Sequence, residues 1–182
     1  PPALVVPARR LKPFPARIDG WKGTAITQPD LRWARCDIKT VGLLPNVLAR
    51  QAAVEKGATE AIMIAADGTV TEGASTTVWI VDKDGRLRTR DLGGNILPGC
   101  TRQVLMGLMR DEGIAFVEGP FSEAELRSAR EAFITSASSF VKPILAIDGA
   151  KVGDGTPGPV TRRLFEIFAR HVSGMRNVPR AA

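Results

Sequence analysis

Histidine, tyrosine and cysteine are scarce in this chain of 182 residues, which has one His, no Tyr and two Cys. Zinc hydrolysis, a Ser-His triad and Cys-His catalysis each normally place a histidine at the chemistry. The single His171 falls near the end of a predicted helix, where we expect it to be exposed. The reactive group is therefore predicted not to be an imidazole, and no metal site is predicted.

The two cysteines, Cys36 and Cys100, lie far apart and lack the spacing of metal ligands. This pattern predicts free thiols in a reducing compartment. Long apolar runs are also absent, since none approaches the ~20 residues needed to cross a membrane. The N-terminal residues lack the layout of a signal peptide. We therefore expect a cytoplasmic protein with no membrane partner.

Positive charge is in moderate excess, with a formal net charge of +6. The basic residues gather near both ends of the chain, as Arg9, Arg10, Lys12, Arg17 and Lys22, and as Arg162, Arg163, Arg170, Arg176 and Arg180. Aromatic residues make up only 5% and fall mostly inside apolar segments, unlike those of a nucleic-acid-binding surface. The pattern favours a basic surface that attracts anionic small molecules over a nucleic-acid partner.

The length is that of one domain or one and a half. Residues 1–23 are rich in proline and basic residues, and we interpret them as an interdomain linker and the start of a domain. The chain does not begin with Met, so we expect it to be a fragment without its N-terminal part. Residues 24–175 are predicted to form the domain and 176–182 a tail. Strand and helix patterns both occur, which predicts an α/β fold with a mixed sheet.

Strands are predicted at 24–27, 61–65, 77–81, 114–117, 132–135 and 141–147. Helices are predicted at 44–56, 101–111, 122–125 and 160–172. Residues 31–36 are expected to extend the sheet, and residues 70–76 to interrupt it. Asp-Gly pairs at 67–68, 84–85 and 148–149 predict turns.

One lysine, Lys39, is predicted to lie where a strand gives way to a helix. If Lys39 is buried there, desolvation disfavours its charged form and leaves a nucleophilic amine near neutral pH. Schiff-base chemistry requires such an amine. The alternative is an ordinary surface lysine beside a turn.

Two segments are predicted to bind an anion. The loop 93–101 ends at a helix start, where free backbone N–H groups and the helix dipole favour negative charge. Ser136, Ser138 and Ser139 follow a strand, so their hydroxyls are placed to converge on the same anion. Neither segment matches a Walker A loop or a dinucleotide-binding Gly-x-Gly-x-x-Gly pattern.

Glu72 lies between two predicted strands, where a buried carboxylate would need a partner; an exposed turn residue is the alternative. Glu60, before an apolar strand, is a second candidate buried acid. Cys100 stands at a helix start, where a thiol pKa can be lowered, although we favour a structural role for it. An amine, a carboxylate and two anion-binding segments together are the groups that pyridoxal phosphate requires.

Five motifs, in order along the chain, resemble those of the fold-type IV pyridoxal-phosphate enzymes, and most of all the D-amino acid aminotransferases. They are Asp37-Ile38-Lys39, Leu43–Ala49, Thr71–Ser75, Ile96–Arg102 and Phe133–Ser136. The resemblance runs from about Thr24 to His171. It implies the C-terminal domain of this fold, a mixed sheet or pseudo-barrel with helices, with the family's N-terminal domain absent from this chain.

The resemblance also implies a role for each matched residue. Lys39 is expected to form a Schiff base with the cofactor and later to move a proton. Glu72 is expected to pair with the pyridine nitrogen, and Leu97 to lie against the ring. The amides of Cys100 and Thr101, with the Thr101 hydroxyl, are expected to hold the phosphate.

Ser136, Ala137 and Ser138 match the family's second phosphate-binding segment. Ala137 stands where a threonine is frequent, so the hydroxyl contact there moves to Ser138 or is lost. Glu60 is expected at most to support the residues that contact the cofactor. The family's N-terminal domain supplies an arginine for the phosphate and, partly from the neighbouring subunit, groups that bind the substrate carboxylate. We therefore expect a homodimer in which this chain supplies half of a site.

The implied activity is transfer of an amino group from an amino acid, with D-amino acids such as D-alanine favoured, to a 2-oxo acid. Alternatives on the same fold are a branched-chain L-amino acid aminotransferase, a 4-amino-4-deoxychorismate lyase and an (R)-amine transaminase. A non-catalytic basic domain that binds an anionic partner is the alternative of a different class.

Overall fold

The computed structural model describes residues 3–8 and 15–176, and the side chains as far as Gly174. Parts of the predicted linker (1–2 and 9–14) and of the predicted tail (177–182) lie outside the described residues. So do the predicted basic residues Arg9, Arg10, Lys12 and Arg180, and the side chain of Arg176.

The described residues form nine strands and four α-helices. The strands are β1 (Gly23–Pro29), β2 (Glu60–Ile64), β3 (Val70–Gly73), β4 (Thr77–Val81), β5 (Leu87–Thr89), β6 (Val117–Glu118), β7 (Glu131–Ser136), β8 (Phe140–Ile147) and β9 (Ala150–Lys151). The helices are α1 (Leu44–Glu55), α2 (Cys100–Asp111), α3 (Glu123–Arg127) and α4 (Pro159–Arg176). No helix in these ranges is long and apolar enough to cross a membrane.

All nine strands belong to one mixed sheet in the order β3-β2-β1-β8-β7-β4-β5-β6, with β9 paired to β8. β1 runs parallel to both of its neighbours, β2 and β8. The sheet curls until its two ends meet: the Val70 N–H at one end donates to the Phe121 carbonyl, just beyond β6, over 3.0 Å. Thr69 and Ser122 form a bridge beside this bond. The mixed sheet with the shape of a half-barrel is the fold that the sequence predicts.

The two faces of the sheet pack against different apolar clusters, because side chains alternate along a strand. In β4, Val78 and Ile80 join the cluster on one face, and Trp79 and Val81 join the cluster on the other. Helices α2 and α4 cover the second face, and the ring of Trp79 stacks on that of Phe133 at 5.6 Å between centroids. The helices therefore lie outside the curl and hold its strands in place.

Most predicted elements are confirmed, but two predictions about the region around the candidate site are wrong. Residues 31–36 form no strand, and Arg32 there contacts Asp30 and Glu72 instead of adding to the sheet. Residues 70–73 do not interrupt the sheet, since they form its edge strand β3, antiparallel to β2. The predicted strand at 114–117 is reduced to the two residues of β6, and β5 and β9 were not predicted.

Helix α1 packs on the sheet through its smallest side chains. Ala49 and Ala53 are buried against Ile26 and Ala61, and small side chains let the helix backbone approach the strands closely. The large apolar residues that produce the predicted helical period point the other way: Leu44, Val47 and Leu48 are all more than half exposed. The prediction of α1 therefore rests mainly on large apolar residues that lie on its exposed face.

The turn at Asp148-Gly149, predicted from the sequence, ties the sheet together. Asp148 (φ 49°) and Gly149 (φ 81°) both adopt left-handed backbone conformations, as a two-residue hairpin requires. The Asp148 carboxylate accepts hydrogen bonds from the Thr27 N–H (3.0 Å), the Thr27 hydroxyl (2.8 Å) and Arg127 Nη2 (2.7 Å). Burial alone would raise the pKa of Asp148, but these bonds and the Arg127 charge lower it below its ordinary value.

Asp148→Asn is expected to lower the free energy of unfolding by about 1–2 kcal/mol near neutral pH, because charge-assisted hydrogen bonds are lost while Asn still tolerates the positive φ. A carboxyl whose folded pKa is lowered stabilises above its unfolded pKa, and this stabilisation is lost as the pH falls through the folded value. Urea denaturation at about pH 7 and about pH 3 should therefore give a smaller difference at the lower pH. Asp111→Asn, at an exposed position, is the control; an equal loss at both pH values would contradict the prediction.

Candidate active site

Glu72 is a buried carboxylate in the edge strand β3, and its side chain is 7% exposed. Its Oε1 accepts a hydrogen bond from the Leu97 N–H over 3.0 Å. Its Oε2 accepts one from Arg32 Nη1 over 2.5 Å. The expected burial of Glu72, and its need for a partner, are both confirmed. Because its oxygens are held from two sides, the direction of this carboxylate is fixed.

The electrostatics of Glu72 reflect two opposing effects. Burial raises its pKa above the ordinary value, since desolvation penalises the charged form. The Arg32 charge and hydrogen bond and the Leu97 N–H offset part of this rise. A further positive group next to Glu72 would therefore interact strongly with it, because little water surrounds the carboxylate.

Arg32 and Asp30 are part of this site, and the sequence did not single them out. Arg32 Nε and Nη2 donate to the two oxygens of Asp30 over 2.9 and 2.7 Å, and Arg32 Nη2 also donates to the Asn95 carbonyl. The Asp-x-Arg spacing was the available signal, because residues two apart in an extended segment point to the same side. The Asp-x-Arg spacing does not reveal that Glu72, forty residues later in the chain, also contacts Arg32.

The second part of the site is the start of helix α2. Gly99 occupies the N-cap position, and no side chain caps the helix there. By contrast, Ser122 and Glu125 form a capping box at α3, and the Glu131 carboxylate accepts from the first amides of α4. Among the described residues, no carboxylate accepts from the first N–H groups of α2, as an anion-binding helix start requires.

A close backbone approach positions this helix start against the sheet. A β-carbon on Gly99 would lie 3.1 Å from Thr77 Oγ1. Thr77 begins β4 and pairs in register with Thr135 of β7, one residue before Ser136. The two segments predicted to bind the same anion, 93–101 and 136–138, are therefore brought together through Thr77.

Within this pair of segments, the described residues differ in exposure. Thr101 is buried and Cys100 is exposed at the first turn of α2, while Leu97 is half-buried. In the turn after β7, Ser136 is half-buried, and Ala137 and Ser138 are exposed. The Ser139 N–H donates to the Ser136 hydroxyl over 3.0 Å, and the Ser136 and Ser138 hydroxyls are 3.4 Å apart. The hydroxyls remain at the surface of the turn.

Lys39 lies in the irregular segment between β1 and α1, and its side chain is exposed. Lys39 does lie between a strand and a helix, but residues 31–36 do not extend the strand to it, and the exposed side chain matches the alternative of a surface lysine rather than a buried amine. The segment has no strand partner and packs on the loop that leads to Leu97: the Asp37 N–H donates to the Gly94 carbonyl over 3.2 Å. Lys39 is thus on the same side of the fold as Leu97, with no side chain of the described residues burying it.

Glu60, the second candidate acid, is 1% exposed at the start of β2. Its Oε2 accepts from the Thr76 hydroxyl over 3.0 Å, and its Oε1 lies 3.8 Å from Arg50 Nη1. Thr76 follows the strand that carries Glu72, so Glu60 anchors the segment between β3 and β4. No group of three or more His, Cys, Asp or Glu in the described part of the chain forms a potential metal site.

In the described part of the chain, neither cysteine thiol nor the His171 ring forms a hydrogen bond with Glu72, Glu60 or Arg32. Both cysteines are free thiols; Cys36 is buried and donates to the Trp33 carbonyl, and burial raises the pKa of its thiol. His171 is half-buried, with its ring 6.3 Å from that of Phe168, because α4 packs this side against the core. The expectation that His171 is exposed is therefore corrected.

The described basic residues near the chain ends form ion pairs rather than a continuous basic surface. Arg162 and Arg17 contact Asp19 at 2.8 and 3.4 Å. Arg170 lies 2.8 Å from Glu112. Exposed pairs of this kind are screened by solvent and contribute little to stability.

The chain matches a known protein family over most of its length. A family model for amino-transferase class IV matches residues 3–147. The D-alanine aminotransferase of Staphylococcus haemolyticus is 46% identical over 148 residues, which cover 81% of this chain and 52% of that protein. The D-alanine aminotransferase of Staphylococcus aureus (strain MSSA476) is 40% identical over 172 residues, covering 94% of this chain and 60% of that protein.

Solved structures show the same relationship. The branched-chain aminotransferase from Thermoproteus uzoniensis, solved with norvaline, has a TM-score of 0.77 and 30% identity, covering 91% of this chain and 56% of that one. The branched-chain amino acid aminotransferase from Thermobaculum terrenum, in its PLP form, has a TM-score of 0.77 and 28% identity, covering 90% and 55%. The chain thus spans about half the length of the relatives that it matches.

Pyridoxal phosphate is the cofactor of this family, and the groups described above fit its parts. The helix start without an internal carboxylate suits a phosphate. The buried, directed carboxylate of Glu72 suits a protonated ring nitrogen, and the exposed Lys39 supplies an amine. The sequence, the half-barrel and these groups agree, and the chain belongs to the class IV aminotransferases.

Proposed function

We propose that this chain provides the cofactor-binding part of an aminotransferase that moves an amino group between a D-amino acid, with D-alanine favoured, and a 2-oxo acid. The observation that carries the proposal is the buried Glu72 carboxylate, hydrogen-bonded to Leu97 in the loop that leads directly into the uncapped start of α2. Membership in an enzyme family argues against the alternative of a non-catalytic anion-binding domain.

Pyridoxal phosphate supplies an aldehyde and a ring that accepts electrons. Lys39 Nζ would hold the cofactor at its aldehyde carbon and, when free, would be the amine that moves a proton. The Glu72 carboxylate would accept a hydrogen bond from the protonated ring nitrogen and favour its protonated form. Leu97, which is half-buried, would lie against one face of the ring and exclude water there.

The residues at the other end of the site would hold the phosphate group. The amides of Cys100 and Thr101 would donate to it at the start of α2, where the helix dipole adds attraction, and the Thr101 hydroxyl would add a further bond. Ser136 and the backbone of Ala137 would contribute from the turn after β7. The Ser138 hydroxyl, 3.4 Å from that of Ser136, would take the place of the hydroxyl that Ala137 lacks.

The remainder of the site comes from outside the described residues. The matched residues cover only 52% of the Staphylococcus haemolyticus relative, and we propose that an N-terminal domain supplies an arginine for the phosphate and groups for the substrate carboxylate. Residues 1–23 then link that domain to the cofactor-binding domain at 24–175, with 176–182 as a tail. A cytoplasmic location is part of the proposal and agrees with two free thiols.

Lys39 is expected to be the residue that bonds to the cofactor. Borohydride reduction of the full-length protein with pyridoxal phosphate should attach the pyridoxyl group irreversibly to Lys39, as peptide mass mapping would show. Lys39→Ala should lose this label and the cofactor's visible absorbance band. The exposed Lys56 is the matched control, and Lys56→Ala should keep both. A label on another lysine in the unmodified sequence would contradict this assignment.

Substrate preference is proposed from the relatives. The D-alanine aminotransferases are 40–46% identical to this chain, whereas the branched-chain aminotransferases of known structure are near 30%. Both groups share the fold, so the difference in identity is the argument for D-amino acids. The residues that choose the substrate are proposed to lie largely outside this chain.

The loss of the cofactor's absorbance band on adding one amino donor at a time tests this preference. D-alanine is expected to convert the cofactor at least tenfold faster than L-leucine, a difference of about 1.4 kcal/mol in transition-state binding. Rapid conversion by L-leucine alone would favour the branched-chain enzyme. Pyruvate released from aminodeoxychorismate without amino transfer would favour the lyase, and conversion by an (R)-amine alone would favour the amine transaminase.

We propose that the protein is a homodimer and that the outer face of α1 lies in its interface. Leu44, Val47 and Leu48 are 67%, 57% and 59% exposed on this face, and Val41, before the helix, is fully exposed. A contiguous apolar face of this kind usually marks a surface of contact. This face of α1 adjoins the segment that carries Lys39, so a second subunit bound there would also cover the Lys39 amine.

Val47→Lys is expected to shift the full-length protein from dimer to monomer, because a charge would be buried without a partner in the interface. Val117→Lys is the control, at an exposed valine in β6 that belongs to a different surface. Sedimentation velocity reports the two species. A dimer that persists unchanged in Val47→Lys would contradict the placement of the interface on α1.

A further inference from the structure

Three buried side chains form a charge triad behind the proposed cofactor site. Arg32 lies between two carboxylates, with Nη2 2.7 Å from Asp30 Oδ2 and Nη1 2.5 Å from Glu72 Oε2. The exposed fractions of the three side chains are 9% or less. Two negative charges and one positive charge leave the triad with one net negative charge.

We propose that Asp30 is a positioning residue that, through Arg32, holds the Glu72 carboxylate directed toward the cofactor's ring nitrogen and gives the triad its net negative charge. The inference rests on the proposed role of Glu72. An Arg32–Glu72 pair alone would be neutral, and its arginine would compete with the ring nitrogen for the carboxylate. Asp30 takes up two arms of the guanidinium and so restores a negative charge to the site.

The hydrogen bonds leave Glu72 able to accept one more donor. A carboxylate has about four acceptor positions on its two oxygens. Leu97 N–H and Arg32 Nη1 each take one, on different oxygens. The two bonds fix the rotation of the carboxylate, and a ring N–H would be the third donor to a group that is already oriented.

Asp30 is itself anchored to the strands that position Glu72. Its N–H donates to the Ile64 carbonyl at the end of β2 over 2.8 Å. Its Oδ2 accepts from the hydroxyl of Thr71, the residue immediately before Glu72, over 2.6 Å. The spacing between the two carboxylates is therefore set by the pairing of β1, β2 and β3, and not by a mobile side chain.

The pKa values of the three groups shift in different directions. Burial and the nearby Asp30 charge raise the pKa of Glu72, and its bonds from Arg32 and Leu97 offset part of that rise. Burial alone would raise the pKa of Asp30, but its bonds from Arg32 and Thr71 lower it below the ordinary value. The pKa of Arg32 is raised far above its ordinary value: burial opposes the rise, but both carboxylates favour the charged form. Asp30 and Arg32 thus stay charged, and Glu72 is the member left to respond to a ligand.

The test compares the affinities of the full-length protein for pyridoxal phosphate and for its deaza analogue, in which carbon replaces the ring nitrogen. Both ligands have the same phosphate and aldehyde, so their affinity ratio isolates the ring nitrogen. Asp30→Asn is expected to lower affinity for pyridoxal phosphate about tenfold while changing that for the analogue by less than about twofold. Asp82→Asn, at a buried carboxylate that accepts from Arg86 far from the site, should leave the ratio unchanged.

Asp30→Glu keeps the charge and should keep the ratio within about threefold of the unmodified protein. If Asp30→Asn does not fold, Asp30→Glu is the variant to test. A tenfold fall in the affinity ratio of Asp30→Glu would contradict the proposal. Equal losses for both ligands in Asp30→Asn would mean a purely structural role and would also overturn it.

Glu72→Gln separates this inference from the proposed function. It is expected to lower the ratio at least as much as Asp30→Asn. If Glu72→Gln lowers the ratio and Asp30→Asn does not, only the role of Asp30 is overturned. If Glu72→Gln keeps the original ratio, the proposed role of Glu72 fails, and the role of Asp30 fails with it.

Discussion

The burial of one carboxylate, that of Glu72, is the constraint on which the rest of the site depends. An ionised carboxylate inside a sheet is costly unless it has partners, and this chain provides an arginine from the end of β1 and a backbone amide from the loop before α2. Those two partners fix where the segment after β1 and the loop 93–97 must lie. The positions of the Lys39 segment and of the start of α2 follow from these two contacts of Glu72.

The helices of this fold differ in how the backbone amides at their starts are satisfied. At α3 the Glu125 carboxylate accepts from the N–H of the N-cap residue Ser122, and at α4 the Glu131 carboxylate accepts from the amides of Val160 and Thr161. Among the described residues, no side chain caps α1 or α2, and of these two starts that of α2 also meets the turn at Ser136 across Thr77. A phosphate could supply the negative charge that no described side chain supplies at the start of α2.

Local patterns predicted much of this from the sequence. The helical period and Pro45 predicted α1, and the Asp148-Gly149 pair predicted its turn, because both depend on neighbouring residues. The strand β3 was missed because only Val70 of its four residues is apolar, so no alternating pattern marks it. Arg32 and Asp30 were missed because their partner Glu72 lies about forty residues away in the chain.

A negatively charged Glu72 is expected to keep the ring nitrogen of the bound cofactor protonated. Nitrogen NMR of the full-length protein, loaded with cofactor that is isotope-labelled at the ring nitrogen, measures this state directly. We expect the chemical shift of a protonated pyridinium at neutral pH, and that of a neutral pyridine nitrogen in Glu72→Gln. A neutral ring nitrogen in the unmodified protein would contradict it.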